Sequence, residues 1–251
     1  LLVFCFLGPL AWHADPSAIV ADLSLQPPSW AHPVGTDDLG RDQLARLMQA
    51  GAATLEVALP AALVSFVLGL GYGVASGLGP VLVDRVMMRL LDALLALPAL
   101  LVLLCVAAVV PVSGPVLVAM IGLTGWAALA RLVRNEVVAA RGSDYVLAAR
   151  QLGGGQVYIA RRHLVPAMGT LLAVQATFLV GDSILALSAL SFLGLGVPPP
   201  QASWGSMLQA GLGLVDLGAW WLIVPPGLLI VASLYATAAV GRWIVARAVA
   251  A

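Results

Sequence analysis

The stretch LEVALPAALVSFVLGLGYGVASG, Leu55–Gly77, holds a single ionisable residue, Glu56. A helix needs about 20 mostly apolar residues to cross a bilayer, and this run meets that requirement. It reads as a membrane span, and the pattern recurs along the chain. Val86–Val110, Pro115–Val133, Leu164–Leu190 and Trp220–Val245 are further runs of the same kind. The apolar run Leu1–Trp12 looks like the tail of a first span whose start is missing, since it lacks the basic region and cleavage site of a signal peptide. The expected fold is an all-α integral membrane protein with six transmembrane helices, a single domain over residues 1–251.

Composition agrees. The chain is 61% hydrophobic and 10% charged, whereas soluble domains carry about 25% charged residues. That much apolar surface has to face lipid or partner proteins. The 12 basic and 12 acidic residues balance, so charge gives no reason to expect a nucleic-acid partner. Cys5 and Cys105 lie in apolar runs without metal or redox spacing and read as small buried residues.

Every basic residue is arginine, and the arginines orient the chain, because cytoplasmic flanks retain positive charge. With the N-terminus inside, Arg85, Arg89, Arg131, Arg134, Arg141, Arg150, Arg161, Arg162, Arg242 and Arg247 gather on the cytoplasmic side. Only Arg41 and Arg46 fall outside. Both termini are thus expected in the cytoplasm. Residues 13–50 and 194–218 become external loops, and 136–163 an internal one. Loops of that length in compact proteins usually carry function.

The internal loop reads RGSDYVLAARQLGGGQVYIARRHLVP, Arg141–Pro166. Ser143 can cap a helix with Asp144 in its first turn and Arg150 in its last, as the dipole favours. Tyr145, Ala148, Ala149 and Leu152 recur at helical spacing and give a narrow apolar face; Gly153–Gly155 then stop the helix. The residues alone fit two readings equally, an amphipathic helix lying on lipid and a helix that docks a partner through its small side chains.

The spacing Ala148-Ala149-x3-Gly153-x12-Pro166 resembles the "EAA" loop of ABC importer permeases. The fuller run of Tyr145, Val146, Ala148, Ala149, Arg150, Leu152, Gly153, Arg162, His163 and Pro166 is similar to the dipeptide/oligopeptide/nickel branch. Leu147 stands where the name-giving Glu would be, an absence common in that branch. HPVGTDDLGRDQLARL (His32–Leu47) and LSFLGLGVPPPQASWGSML (Leu190–Leu208) look like two further signatures of it, and Asp92 and Pro98 also fit. The resemblance runs from His32 to about Pro226. Ala238–Val245 departs from the family's closing motif, with Arg242 where an acidic residue is common.

The resemblance implies a multi-pass permease of the bacterial inner (cell) membrane, with a cytoplasmic coupling helix between the fourth and fifth spans. Its partners would be a homologous second permease, two ATPase subunits, a substrate-binding protein and the lipid bilayer. ATP and Mg would be held by the ATPases. This chain has no phosphate-binding GxxxxGK[ST] loop, so it would be no enzyme and would hold no cofactor. The implied coupling residues are Tyr145, Leu147, Ala148, Ala149, Arg150, Gly153, Arg162 and Pro166. The implied cargo is a di- or oligopeptide, with nickel or a metal chelate as the alternative.

Asp182 lies about 15 residues from the inner end of the fifth span, roughly 22 Å along it. At that depth an ionised group faces a partner or a watery cavity, so it either lines a pathway or bonds a neighbouring helix. The family often has a Glu five residues on, where this chain has Leu187. Arg89 and Asp92 read as a local pair, and Thr36, Asp37, Asp38, Arg41 and Asp42 as a capped turn with local ion pairs. Trp204 and Leu208 fit either contact with an external partner or anchoring at the membrane interface. His163 has no second ligand at metal spacing. The alternative of a different class is an ion-coupled secondary transporter, which should show several midplane carboxylates, where only Asp182 qualifies; an intramembrane enzyme would need an HExxH or a Ser–His pairing, and neither occurs.

Overall fold

The computed structural model describes residues 2–250; the first and last residues of the 1–251 domain, Leu1 and Ala251, lie outside them. All regular structure among the described residues is helical. Among the described residues eight helices organise the fold: α1 (Gln43–Leu78), α2 (Val81–Leu95), α3 (Ala99–Ala107), α4 (Gly114–Ala140), α5 (Asp144–Gln151), α6 (Gly169–Phe192), α7 (Trp204–Leu212) and α8 (Val224–Ala250). Shorter helical turns occupy Val3–Leu7, Gly8–Ala11 and the stretch from Gln156 to Ala167. Among the described residues four helices, α1, α4, α6 and α8, are long and apolar enough to cross a membrane, and the bent pair α2–α3 makes up to five.

Two of these differ from the sequence expectation. Helix α1 starts at Gln43, inside the segment 13–50 read as a loop. The Asp42 carboxylate caps it by accepting from the Ala45 N–H at 2.8 Å, and Leu47, Met48 and Ala50 are buried beyond that cap. The run Val86–Val110 is two helices bent by 75°. Pro98 offers no N–H and pushes the residue before it out of helical geometry, so the break falls between Leu95 and Ala99. Pro60, by contrast, sits inside α1 without ending it.

The central pair is α1 against α4. Gly69, Gly73 and Gly77, spaced four apart, face Leu129, Val133 and Val137 of α4. Small residues at that spacing let two backbones approach closely, which is how helices gain packing where lipid removes the hydrophobic drive. Ser65 adds an interhelical bond, its hydroxyl donating to the Gly122 carbonyl at 2.9 Å. Helix α6 packs against α1 and α8, and α7 lies across α6.

Ionic contacts mark the two ends. At one end, Arg134 Nε donates to Asp84 Oδ1 at 2.9 Å, and Ser76 Oγ donates to the same oxygen at 2.6 Å. Asp92 pairs with Arg131 of α4, not with Arg89. The local pairing expected from a spacing of three is replaced by a contact across helices. At the other end, the segment before α1 is tied down as the sequence predicts and further than it predicts. Asp37 accepts from the N–H groups of Leu39 and Arg41 at 3.0 and 2.9 Å, and from Arg41 Nε at 2.7 Å. His32 Nδ1 and Trp12 Nε1 donate to Asp42 at 2.7 and 3.1 Å. Trp221 Nε1 donates to the Thr36 carbonyl at 3.0 Å.

Candidate coupling surface

Helix α5 forms over Asp144–Gln151, with Asp144 in its first turn and Arg150 in its last. Ser143 occupies the N-cap position in extended geometry, but its hydroxyl donates backwards to the Ala140 carbonyl at 2.6 Å instead of capping. The other end closes in a two-bond glycine stop. Gly153 N–H donates to Arg150 O at 3.0 Å and Gly154 N–H to Ala149 O at 2.9 Å. Gly153 makes this turn at φ +84°, a left-handed conformation in which a side chain is strained.

The helix is fixed by two residues. Val146 is fully buried and Ala149 nearly so, in a cluster with Leu78 of α1, Leu129, Val133 and Val137 of α4, and Ile159 and Leu164 beyond. The side chains of Arg141 and Gln156 donate to the terminal carbonyls of α1, Gly77 and Leu78, at 3.3 and 3.4 Å. The expected stripe Tyr145–Ala148–Ala149–Leu152 therefore divides. Ala149 turns inward, while Tyr145, Ala148 and Leu152 stay exposed, Leu152 at 88%. Val146, not a member of that stripe, is the anchor, because the face that packs is set by where α1 and α4 end.

The exposed side forms a groove of about 670 Å³, lined by Tyr145, Ala148, Ala149, Leu152, Gly153–Gly155, Tyr158 and His163. Tyr145 and Tyr158 flank His163, with ring centroids 6.2 and 5.7 Å away. Tyr158 was not among the sequence candidates; its helical spacing from Leu152 is interrupted by the glycines, so no periodic signal points to it. Leu147 and Arg150 are exposed on α5, and Arg150 faces a second recess shared with Arg141, Pro80 and Gln156. Arg162 and Pro166 are exposed further along and do not line the groove. The groove offers small side chains and aromatic rings, with the guanidinium groups of Arg141 and Arg150 in the neighbouring recess. Among the described residues there is no group of three or more His, Cys, Asp or Glu able to hold a metal ion.

The remaining candidates lie elsewhere. Asp182 is on the outward face of α6, in line with Phe178, Leu185 and Phe192, which are 38–51% exposed. Trp204 corrects both readings, contact with an external partner and anchoring at the membrane interface. Its indole is fully buried, and Nε1 donates to the Leu47 carbonyl of α1 at 3.0 Å. Ser203 and Ser206 form a reciprocal capping box that holds α7 in place for this contact. Leu208 is half-buried beside it.

Residues 68–249 match the family model described as "Binding-protein-dependent transport system inner membrane component". That match includes α8, where the sequence departs from the expected closing motif; there Arg242 lies over the Tyr235 ring at 5.4 Å and Arg247 over Trp243 at 4.0 Å. Curated relatives include the dipeptide transport system permease protein DppC of Bacillus subtilis, 37% identical over 238 residues, covering 94% of this chain and 74% of that one. The di/tripeptide transport system permease protein DppC of Pseudomonas aeruginosa is 37% identical over 246 residues, covering 94% and 80%. The oligopeptide transport system permease protein OppC of B. subtilis is 37% identical over 203 residues, covering 80% and 66%.

Proposed function

Since the chain belongs to the family of binding-protein-dependent transport system inner membrane components, we propose that it is one permease of an ATP-driven peptide importer. It pairs with a homologous second permease to enclose the pathway, and two separate ATPase subunits supply ATP and Mg. A substrate-binding protein delivers the cargo on the outer side. Peptides are the assigned cargo because the similar permeases are named for dipeptides, di/tripeptides and oligopeptides. A sixth crossing is assigned to the N-terminal apolar run, in which Val3–Ala11 is helical. The arginine asymmetry assigns α5 and both termini to the cytoplasm.

The observation that carries this reading is how α5 is attached. Its exposed side is a groove of small and aromatic residues suited to a protein partner, and its buried side is pinned by Val146 to the ends of α1 and α4. Movement imposed on the groove by a closing ATPase is handed to those two helices, whose tight packing makes them shift together. The permease pair then alternates between inward and outward access, a two-state element biased by nucleotide in the partner. Asp182, on the outward face of α6, is assigned to the pathway between the two permeases.

Ala148→Glu tests the reading. Ala148 is exposed, so the variant should insert and assemble at normal levels. It should lose ATP-dependent peptide uptake by about ten-fold or more, because a carboxylate is forced into the docking contact. Normal uptake by an assembled Ala148→Glu transporter would refute the assignment of α5.

A further inference from the structure

At the end of the bundle opposite α5 lies a cavity of about 660 Å³, within the range that encloses a small ligand. It opens between the start of α1, the end of α6 and the loop leading to α7. Its wall includes Arg41, Arg46, Gln49, Ser191, Ser206 and Gln209, and no carboxylate lines it. Both arginines are held from behind. Asp37 accepts from Arg41 Nε at 2.7 Å and forms an ion pair with Arg46, its Oδ2 3.3 Å from Nη1, and Asp38 stands further off, 4.0 Å from Arg41. A guanidinium has five N–H donors, so these contacts orient the two groups and leave most of their donors unused.

Two polar atoms in the same wall have no partner. Arg46 Nε and Ser191 Oγ are both buried without a hydrogen bond, and Ser191 is 1% exposed. Buried polar groups are nearly always satisfied, and an orphan in a cavity wall points to a ligand. Ser191 comes at the last turn of α6, where Gly194 N–H donates back to its carbonyl at 3.1 Å and fixes the turn. The open donors are therefore cationic or hydroxylic, and they suit an oxyanion that can accept from a guanidinium fork and a hydroxyl together, as a carboxylate does.

We propose that this cavity binds the carboxylate of a small solute, such as the C-terminus of a short peptide, through Arg41, Arg46 and Ser191. The site is separate from α5, and its assignment does not depend on α5 docking an ATPase.

The test uses the assembled transporter in nanodiscs and the arginine reagent phenylglyoxal, without nucleotide. Modification of Arg41 and Arg46 is followed by mass spectrometry, with exposed Arg85, outside α5, as the internal reference. Dialanine is expected to slow modification of the two arginines about five-fold or more relative to Arg85, and dialanine C-terminal amide to leave it unchanged. Ser191→Ala removes a hydroxyl that bonds nothing in the chain, so folding should hold, as an unchanged melting temperature would show. It should raise the half-protecting concentration about ten-fold, the loss of one hydrogen bond to a charged group. Equal modification with and without dialanine, equal protection by the amide, or an unchanged half-protecting concentration in Ser191→Ala would overturn the site. Protection by the substrate-binding protein with none from dialanine would overturn it as well.

Discussion

Replacing Gly73 by alanine tests whether α1 and α4 are held at glycine distance. A Cβ there would lie 2.6 Å from the Ala130 carbonyl oxygen and 2.7 Å from Val133 Cβ. Carbon contacts settle near 3.5–4.0 Å, so the helices would have to part by about 1 Å. Overpacking of this kind costs about 1–3 kcal/mol. Gly71 is the internal control, since a Cβ at Gly71 meets nothing within 4 Å. There alanine gains up to about 1 kcal/mol in helix propensity. Position 73 makes the same propensity gain, so the two variants should differ by the packing cost alone, about 2 kcal/mol, which at 2–4 °C per kcal/mol separates their midpoints by roughly 4–8 °C. Thermal unfolding in detergent, followed by circular dichroism, reads the difference, with Gly73→Ala the less stable. Midpoints within about 2 °C of one another would refute the close-packed seam.

Asp182→Asn should change peptide uptake per assembled transporter with little change in yield; lowered assembly with normal uptake per complex would instead make Asp182 structural. In a background lacking Cys105, which is exposed rather than buried as its apolar run suggested, a cysteine at Gln201 should react with an impermeant thiol reagent added outside, and one at Gln156 should not. Both positions are exposed, so the reverse pattern would overturn the orientation. Ala149→Glu should lower the yield of inserted protein where Ala148→Glu does not, because Ala149 lies in the packed cluster with Val146 and would bury a carboxylate; equal yields would contradict that packing.

The properties legible in the sequence were those set by neighbouring residues. The limits of α5 followed from Asp144, Arg150 and the three glycines, and the turn before α1 from Asp37 and Asp42, because caps and turns are satisfied within a few positions. Apolar length identified the long helices. What stayed hidden depended on distant partners. Asp92 met Arg131 across 39 positions rather than Arg89 across three, and the Trp204 indole found a carbonyl 157 positions away. An indole in a loop looks the same in sequence whether it awaits a partner or has already found its own chain. The face of α5 was misjudged for a related reason. Its periodicity identified a helix, but the rotation of that helix was decided by Leu78 and Val137, which belong to other spans.

Helix α1 runs from the Trp204 contact at Leu47 to the Val146 cluster at Leu78, a distance of about 46 Å at 1.5 Å per residue. It works as a seesaw beam with a clamp at each tip. A tilt of about 5° about its midpoint carries the two tips roughly 2 Å in opposite directions. The clamp at Leu47 holds α7, and the clamp at Leu78 holds α5. Under the alternating access proposed above, a push on one would arrive at the other with its sign reversed, so that a gap widening on one side of the membrane would be matched by one narrowing on the far side, without any signal passing through the helices between them.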